Sequence, residues 1–247
     1  ATTPDVQITQ VPVPDAASCH LAIGVESTPR PHDTQVDVWV SDPCDLPELW
    51  QRRLSPFAAN LALRRRAPRR QRVVLAEPDP SWTDQAARLM ARLAAAIGDR
   101  AHRIDHIGST AVPGLPAKDI IDLQVVVDDL DTAIACAAES HRAGFVHVPG
   151  PFYGIDRHCS HHDEQVAVDA DPGRPANVHF HPASSPIWRE MLLLRNWLRA
   201  DQRHRDEYAS LKREVAAQVD QDVDAYGHTK MPWIAQALTR AENETSR

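Results

Sequence analysis

The sequence lacks the features that define several large classes of protein. No apolar stretch among its 247 residues approaches the length that crosses a bilayer, which excludes a transmembrane helix. The four cysteines, Cys19, Cys44, Cys136 and Cys159, show no Cys-x-x-Cys pair, so we expect reduced thiols rather than disulfides. The first residues are polar and contain no apolar core of a secretory signal. These absences predict a cytoplasmic protein without a membrane partner.

Two further absences limit the ligands. The chain has 27 Lys and Arg against 34 Asp and Glu, a formal net charge of -7, which argues against a broad basic surface for nucleic acid. No Gly-x-x-x-x-Gly-Lys-Ser/Thr loop occurs, so we expect no P-loop kinase activity from this chain alone. The hydrophobic fraction of 43% is nevertheless sufficient for a folded core.

The most informative part of the sequence is residues 102–131, where a loop of small residues lies between two apolar runs. Residues 120–127 are apolar almost throughout, which predicts a central strand that is buried on both faces. Asp122 interrupts this strand. Because side chains two positions apart on a strand share a face, Asp122 and Gln124 are predicted to point to the same side and to need polar partners there.

The loop ahead of this strand contains Gly108, Ser109 and Thr110, which follow the short apolar stretch 104–107. A glycine at this place lets the backbone approach a ligand without a Cβ atom in between. Backbone N–H groups and two hydroxyls suit phosphate oxygens, although the same hydroxyls can serve only to close a turn. Lys118, just ahead of the strand, fits a phosphate contact and an ordinary solvated lysine equally well.

The segment HIGSTAVPGLPAKDIID, residues 106–122, resembles the GrpB family almost letter for letter, and the resemblance extends from about residue 72 to about residue 238. Members of that family are similar to reduced nucleotidyltransferases. The resemblance implies an α/β (α+β) fold, with a nucleotidyltransferase-like mixed sheet flanked by helices. It also implies a Gly-Ser loop that holds nucleotide phosphates and, on a nearby strand, an acidic pair that holds a divalent metal.

In this chain the acidic pair corresponds to Asp122 and Gln124, so only one carboxylate is present. We therefore predict Mg²⁺ at Asp122, with phosphates of the ligand completing the site. A two-metal transfer site normally has more acidic charge, so binding of a nucleotide or another phosphate compound is better supported than transfer. A structural role of Asp122 in a buried network is the alternative.

A second pair of strands is predicted at residues 164–168 and 176–181, joined by an Asp-Pro-Gly turn. In the later strand Asn177, His179 and His181 alternate with apolar residues and so face one side. We expect this side to line the same cleft as Asp122, which is a catalytic candidate, and Gln124, which is a candidate for ligand binding. The family pattern has a histidine at the position of His179, which makes it a catalytic candidate, and His181 is a candidate for ligand binding.

The tract 153–163 lies just ahead of the first of these strands and is rich in metal-binding residue types: His158, Cys159, His161, His162 and Asp163. Its spacing fits no standard zinc pattern. We therefore expect a mobile polar loop rather than a metal site.

Apolar residues at helical spacing predict helices over residues 184–199 and 203–219, both packed on the sheet. Arg195, Lys212 and Lys230 occupy positions that are basic in the family pattern. Each is a candidate to neutralise phosphate charge if it faces the cleft. The alternative is an ordinary solvated side chain on a helix surface.

The chain divides into an N-terminal segment, residues 1–69, and a GrpB-like domain, residues 70–247. Residues 36–66 predict a short strand, a turn and a helix that Pro56 interrupts. This segment is similar to the carboxyl-terminal end of bacterial dephospho-CoA kinases, which in actinobacteria occur fused to a GrpB domain. The basic run 64–72 is predicted to be the linker between the two parts.

Two hypotheses about function follow from these residues. In the first, the domain binds a nucleotide or another phosphate-bearing small molecule and transfers a nucleotidyl group with Mg²⁺. In the second, it is a non-catalytic accessory domain that stabilises a dephospho-CoA kinase partner in coenzyme A biosynthesis. The single carboxylate favours the second hypothesis, and the sequence leaves open whether the chain is an enzyme.

Overall fold

A computed structural model describes residues 20–25, 37–40, 42–69, 72–218 and 223–245 of the chain. The sequence left open whether residues 1–36 are ordered, and most of these residues lie outside the described ranges. Of this part of the chain, residues 23–25 form a short strand.

The described chain contains seven strands and seven α-helices, and it ends with three consecutive strands followed by three consecutive helices. The strands are β1 (Ile23–Val25), β2 (Val38–Val40), β3 (Arg103–Ile107), β4 (Ile121–Val127), β5 (Phe145–Ile155), β6 (His161–Asp169) and β7 (Ala176–Pro182). The α-helices are α1 (Leu46–Leu49), α2 (Ser55–Ala62), α3 (Trp82–Ile97), α4 (Leu130–Glu139), α5 (Ile187–Ala200), α6 (Gln202–Gln218) and α7 (Val223–Thr245).

Five strands form one mixed sheet in the order β3-β4-β7-β6-β5. β4 and β7 are parallel, and the other neighbouring pairs are antiparallel. The strands predicted over residues 120–127, 164–168 and 176–181 are confirmed, as is the mixed sheet flanked by helices. Because β4 has a neighbour on both edges and helices on its faces, its sequence is apolar almost throughout.

The two faces of the sheet have different environments. Leu123 and Val125 of β4, together with Val178 and Phe180 of β7, are fully buried in the main core with residues of α3 and α4. Full burial of each such side chain contributes about 1.5–3 kcal/mol, so this face supplies most of the hydrophobic stabilisation. The opposite face carries the polar residues of β4 and β7, and α5 contacts part of it.

A second core joins α5, α6 and α7 to the segment that follows the glycine loop. Val112 and Leu115 of that segment pack in one cluster with Trp197 of α5 and Tyr208 of α6. α6 therefore packs mainly on this segment and on the neighbouring helices, which differs from the expectation that both α5 and α6 lie on the sheet. The consequence is that α6 faces the loop rather than the strands.

Pro56 and Pro232 lie inside helical segments. The chain stays helical over residues 46–62, so Pro56 changes the hydrogen-bonding pattern without ending the helix, and a π-helical turn, Trp50–Leu54, lies just ahead of it. Pro232 lies inside α7. With Gly227 it interrupts the helical pattern of the sequence, which explains why no helix is predicted there from periodicity.

The N-terminal helices are docked on the sheet domain. Arg53 forms a two-pronged ion pair with Asp171, with N–O distances of 2.6 and 2.8 Å. Asn60 is buried and donates a hydrogen bond of 2.9 Å to the carbonyl of Ala170. Phe57 is buried in a small apolar cluster that includes Ala170. Charged and apolar contacts thus both hold this segment.

The described part of the basic run, residues 64–69, also contacts the sheet domain instead of spanning a gap. The N–H of Ala67 donates to the carbonyl of Asp169 at 3.0 Å, and Arg69 forms an ion pair with the carboxylate of Asp169. The run joins the two parts of the chain but is itself packed. The boundary between residues 69 and 70 stays a prediction.

Residues 153–163 belong to the hairpin of β5 and β6, which corrects the expectation of a mobile polar loop. Their ends are paired across the two strands, so only residues 156–160 lie outside. The carboxylate of Asp156 accepts hydrogen bonds of 2.8 Å from the N–H groups of His158 and Ser160. Such a local network orders a turn without leaving a trace in the hydrophobic pattern.

Long apolar helices are the usual way for a chain to cross a membrane. In the described ranges no helix is both long enough and apolar enough to do so.

Candidate functional site

A cavity of about 140 Å³ lies between the glycine loop, the start of β4 and the helices α6 and α7. It is lined by Ser109, Thr110, Lys118, Ile120, Asp122, Asn177, Lys212, Tyr226 and Lys230. The structure therefore brings together Asp122 and five of the residues that the sequence predicts to bind phosphate: Ser109, Thr110, Lys118, Lys212 and Lys230.

Gly108 lets the loop and β4 approach each other closely. Its φ of +68° is a conformation that favours glycine, and a Cβ atom at this place would lie 2.7 Å from Oδ2 of Asp122. The close approach predicted for Gly108 therefore occurs, but toward the carboxylate. A short 3-10 turn, Ser109–Ala111, follows and carries the two hydroxyls.

The two hydroxyls have partners within the protein. Thr110 bonds Nε2 of His106 at 2.9 Å and donates to the carbonyl of Ile120 at 3.4 Å, so it helps to close the turn. Ser109 is hydrogen-bonded to Tyr208 of α6, whose pKa burial raises to about 12. Both roles considered for these hydroxyls are thus compatible, because they order the loop and also line the cavity.

Each of α6 and α7 presents a lysine over the ring of a tyrosine one turn earlier. Nζ of Lys212 lies 5.3 Å from the ring centre of Tyr208, and Nζ of Lys230 lies 4.2 Å from that of Tyr226. Residues four apart share a helix face, and an aromatic ring attracts an ammonium group. Lys118 faces Tyr226 as well, at 5.4 Å. These contacts hold three ammonium groups at one cavity.

The lysines of the helices have strongly lowered pKa values. Burial, followed by the positive charges of Lys230 and Lys118, lowers the pKa of Lys212 to about 7. Burial and Lys118 lower the pKa of Lys230 to about 8, while Asp122 opposes both shifts. Lys212 is 2% exposed, which excludes the solvated alternative for it. The cavity thus contains more positive than negative charge.

Two polar groups of the wall complete the site. Asn177 lies opposite Asp122 on the neighbouring strand, and its Nδ2 donates to Oδ1 of Asp122 at 2.7 Å. Tyr226 is 1% exposed, and its hydroxyl has no hydrogen-bond partner within the described ranges. A buried hydroxyl without a partner costs about 1–3 kcal/mol, so a ligand oxygen in the cavity would remove that penalty.

The donor set does not favour a divalent cation held by the protein alone. Asp122 is the only carboxylate among the lining residues that the structure describes, and Asn177 occupies one of its oxygens. Three ammonium groups at the same cavity repel a cation. In the described part of the chain no group of three or more His, Cys, Asp and Glu is placed to hold a metal ion. The prediction of Mg²⁺ at Asp122 therefore depends on ligand phosphates.

Two predicted binding residues serve the protein scaffold instead. Gln124 is 0% exposed, and its Nε2 donates to Asp105 at 3.1 Å and to the carbonyl of Trp188 at 3.3 Å. Arg195 donates to the carbonyl of His106 at 2.8 Å. Both residues connect α5 to the sheet, because α5 crosses the polar face at this place.

His179 and His181 lie on the same sheet face as Asp122 but outside the cavity. Their Nδ1 atoms are 3.5 and 3.4 Å from the two carboxylate oxygens of Glu164 on β6. Burial opposes the charged form, but Glu164 raises the pKa of His179 to about 8, whereas burial lowers that of His181 to about 4. Glu164 is thus the carboxylate nearest to both histidines, while Asp122 also contributes to the raised pKa of His179. Their roles in catalysis and ligand binding stay predictions.

Sequence reasoning missed both tyrosines. Tyr208 and Lys212 stand in the segment YASLK, and Tyr226 and Lys230 stand in YGHTK. The repeated Tyr-x-x-x-Lys spacing was the available signal, since it places both side chains on one helix face.

Comparison with known proteins gives the relatives of this chain. This chain is 35% identical over 251 residues to a dephospho-CoA kinase of Mycolicibacterium paratuberculosis. The match covers 91% of this chain and 61% of the relative. A dephospho-CoA kinase of Mycobacterium tuberculosis is 36% identical, with the same coverage. The chain thus spans about three fifths of the length of these relatives.

Shorter relatives match the later part of the chain. A UPF0157 protein of Halalkalibacterium halodurans is 32% identical over 176 residues, which are 70% of this chain and 85% of the relative. The crystal structure of the conserved protein GrpB from Enterococcus faecalis superimposes with a TM-score of 0.58 and 23% identity, over 70% of this chain and all of that one. At this identity the match shows the fold alone.

The residues of the cavity fall inside a family match. The profile described as GrpB protein matches residues 72–240, which include the glycine loop, the sheet and all three lysines. The chain therefore belongs to the GrpB family.

Proposed function

We propose that the lysine cavity binds the phosphate group of a small phosphate-bearing molecule. The observation that carries this proposal is the charge of the site, where three ammonium groups surround a cavity whose described lining contains a single carboxylate. Burial makes this excess of positive charge costly, because charge interactions are stronger where water is excluded. A phosphate dianion would balance it, and the hydroxyl of Tyr226 would gain an acceptor.

The size of the cavity supports a single phosphate group. An enclosed volume of about 150 Å³ holds a benzene molecule. The cavity measures about 140 Å³, and a phosphate group has about as many non-hydrogen atoms as benzene. The remainder of the ligand, such as the sugar and base of a nucleotide, would then lie outside the enclosed part.

Nucleotidyl transfer is supported less than binding. The family resemblance implies a nucleotide, but the one carboxylate at the cavity already bonds Asn177. A transfer site must stabilise the charge that develops on the reacting phosphate, and metal ions usually supply much of this stabilisation. We therefore propose phosphate binding as the primary function and keep transfer as a prediction, together with the cytoplasmic location and the lack of a nucleic-acid partner.

A thermal-shift titration tests binding. Glycerol phosphate at a hundred times its dissociation constant is expected to stabilise the fold by about 2.7 kcal/mol. For a chain of this size, that raises the melting temperature by roughly 5–10 °C. Glycerol with sodium chloride at equal ionic strength serves as the control and should give no rise. Absence of a shift with glycerol phosphate, pyrophosphate and ATP would contradict the proposal.

A magnesium arm of the same titration tests the metal prediction. If ligand phosphates and Asp122 share Mg²⁺, adding it should raise the melting temperature further, and Asp122→Asn should remove only this additional rise. An Mg²⁺ effect that persists in Asp122→Asn would place the metal elsewhere.

A second candidate function is stabilisation of a dephospho-CoA kinase. The match to the mycobacterial kinases covers 91% of this chain and so extends ahead of the family match that begins at residue 72. In the structure this earlier segment is docked through Arg53 and Asn60. We propose that the GrpB domain holds a helical end of a kinase domain in place.

The longer mycobacterial relative allows this second function to be measured. We expect its kinase domain to lose activity faster at raised temperature when the region that matches residues 72–240 of this chain is removed, because the docked helices are then released. The half-life of kinase activity, with and without that region, is the readout. Equal half-lives would argue against a stabilising role.

A further inference from the structure

A series of side-chain hydrogen bonds connects the basic segment ahead of the sheet domain to the cavity. Nη1 of Arg69 donates to Oδ1 of Asn177 at 2.7 Å, and Nδ2 of Asn177 donates to Oδ1 of Asp122 at 2.7 Å. Arg69 is itself fixed by an ion pair with Asp169 and by a hydrogen bond of 2.6 Å to the carbonyl of Ala176. One guanidinium therefore reaches the wall of the cavity through a single amide.

The order of donors and acceptors fixes the amide of Asn177. A guanidinium only donates hydrogen bonds and an ionised carboxylate only accepts them, so Oδ1 must face Arg69 and Nδ2 must face Asp122. The side chain of Arg69 is 17% exposed, which shields these bonds from water. Without Arg69 the amide loses the partner that distinguishes its two ends, and its bond to Asp122 weakens.

Asp122 is held at the wall of the cavity by a hydrogen bond to one of its oxygens. Oδ1 accepts from Asn177, and Oδ2 lies against Gly108. Lys212 meanwhile donates to the carbonyl of Pro116, and Lys230 lies over Tyr226. A carboxylate that is released from the wall has ammonium groups within the same cavity to pair with. In that position it would replace an anionic ligand.

We propose that Arg69 is a positioning residue that acts through Asn177 to hold Asp122 at the wall and so keeps the lysine cavity open for a phosphate group. This inference rests on the proposed function and adds a means of regulation to it. Arg69 lies in the segment that joins the N-terminal helices to the sheet domain. Docking of that segment and binding of the ligand are therefore coupled, and the coupling acts equally in both directions.

Calorimetric titration with glycerol phosphate measures the effect. Arg69→Ala is expected to weaken binding about tenfold, because a charge-assisted hydrogen bond no longer keeps the carboxylate from competing with the ligand. In the double variant with Asp122→Asn, affinity should return to that of Asp122→Asn alone. A merely structural defect would not be repaired by this second change. Asn177→Ala breaks the same series from its middle and should show the same loss and the same rescue.

Arg53→Ala is the matched control. It removes another guanidinium that ties the N-terminal segment to the sheet domain, through Asp171, without touching Asn177. Affinity should stay within twofold of the parent protein, because Arg53 is not part of the series of hydrogen bonds that reaches Asp122. Equal affinity of Arg69→Ala and the parent, or a loss that Asp122→Asn fails to repair, would overturn the inference while leaving phosphate binding in place. A parent protein that does not bind glycerol phosphate would overturn both.

Hydrogen exchange at Ala67 provides the reciprocal readout. The N–H of Ala67 donates to Asp169, the residue that also holds Arg69. Glycerol phosphate should slow exchange of this N–H in the parent protein by the same factor by which Arg69 strengthens binding, about tenfold. No change in exchange when the ligand is bound would contradict the coupling.

Discussion

Replacement of Lys230 by glutamine is expected to weaken phosphate binding by about tenfold to hundredfold. A hydrogen bond to a charged group contributes about 1.5–3 kcal/mol, and about 1.4 kcal/mol corresponds to a factor of ten in affinity. Lys230 is the best lysine for this test because it is only partly buried. Lys212, in contrast, donates to the carbonyl of Pro116 in the interior, so its loss would also disturb the fold.

The control for Lys230→Gln is Arg203→Gln. This variant removes one positive charge at a side chain that is 88% exposed and paired with Asp201, and that is not among the described residues lining the cavity. It should leave the affinity for glycerol phosphate unchanged, since exposed ion pairs contribute little. Calorimetry of both variants and of the parent, at one ionic strength, is the measurement. An equal loss in both variants would mean that net charge alone attracts the ligand.

The second large effect is a fall in phosphate affinity as the pH rises above 7. The pKa of Lys212 is about 7 and that of Lys230 is about 8 when no ligand is bound. Both pKa values are lowered from the usual value of lysine, so each lysine is mostly protonated only at a pH below its own pKa. A bound dianion favours the protonated form and therefore raises both values. Between the lowered and the raised pKa, binding must take up a proton, and affinity decreases with rising pH.

The magnitude follows from proton linkage. Each lysine that must gain a proton reduces affinity by about tenfold per pH unit above its unliganded pKa. The second pKa of a phosphate monoester is about 6, so loss of the dianion lowers affinity on the acid side. We expect the highest affinity near pH 6–7, below the pKa values of the two lysines.

Calorimetric titrations at pH 8 in buffers of different ionisation enthalpy measure the proton uptake directly. The parent protein should take up protons on binding glycerol phosphate, and Lys230→Gln should take up fewer. Arg203→Gln should behave like the parent. A constant affinity between pH 7 and pH 9 would show that the lysines do not contact the phosphate group.

Much of the sheet could be predicted because its information is local. The continuous apolar run of β4 and the alternation in β7 reflect burial on one or two faces, and each pattern is complete within a single strand. Parallel pairing of β4 with β7 then makes Asp122 and Asn177 neighbours. The meeting of Ser109 with Asp122 was also expected, since the loop and the strand adjoin in the chain and match one family motif.

The partners of the predicted residues were harder to foresee. His179 shares a sheet face with Asp122, but its ion-pair partner is Glu164 on the next strand. The sequence pattern of β7 does not predict that partner. Gln124 was placed on the correct face, yet α5 and Asp105 cover it. In both cases the strand determined the direction of the side chain, and a different element determined its contact.

The sequence by itself determined the individual strands of the sheet, because burial acts within each segment. Its motif at residues 106–122 indicated the family, and that resemblance implied the mixed sheet and a glycine loop beside one carboxylate. Only the tertiary structure decided that Lys118, Lys212 and Lys230 meet at one cavity. The rotation of α6 and α7 is set by packing on Val112 and Leu115, a contact between segments far apart in the chain. Periodicity shows which side chains share a helix face, but it does not show which distant segment that face packs against.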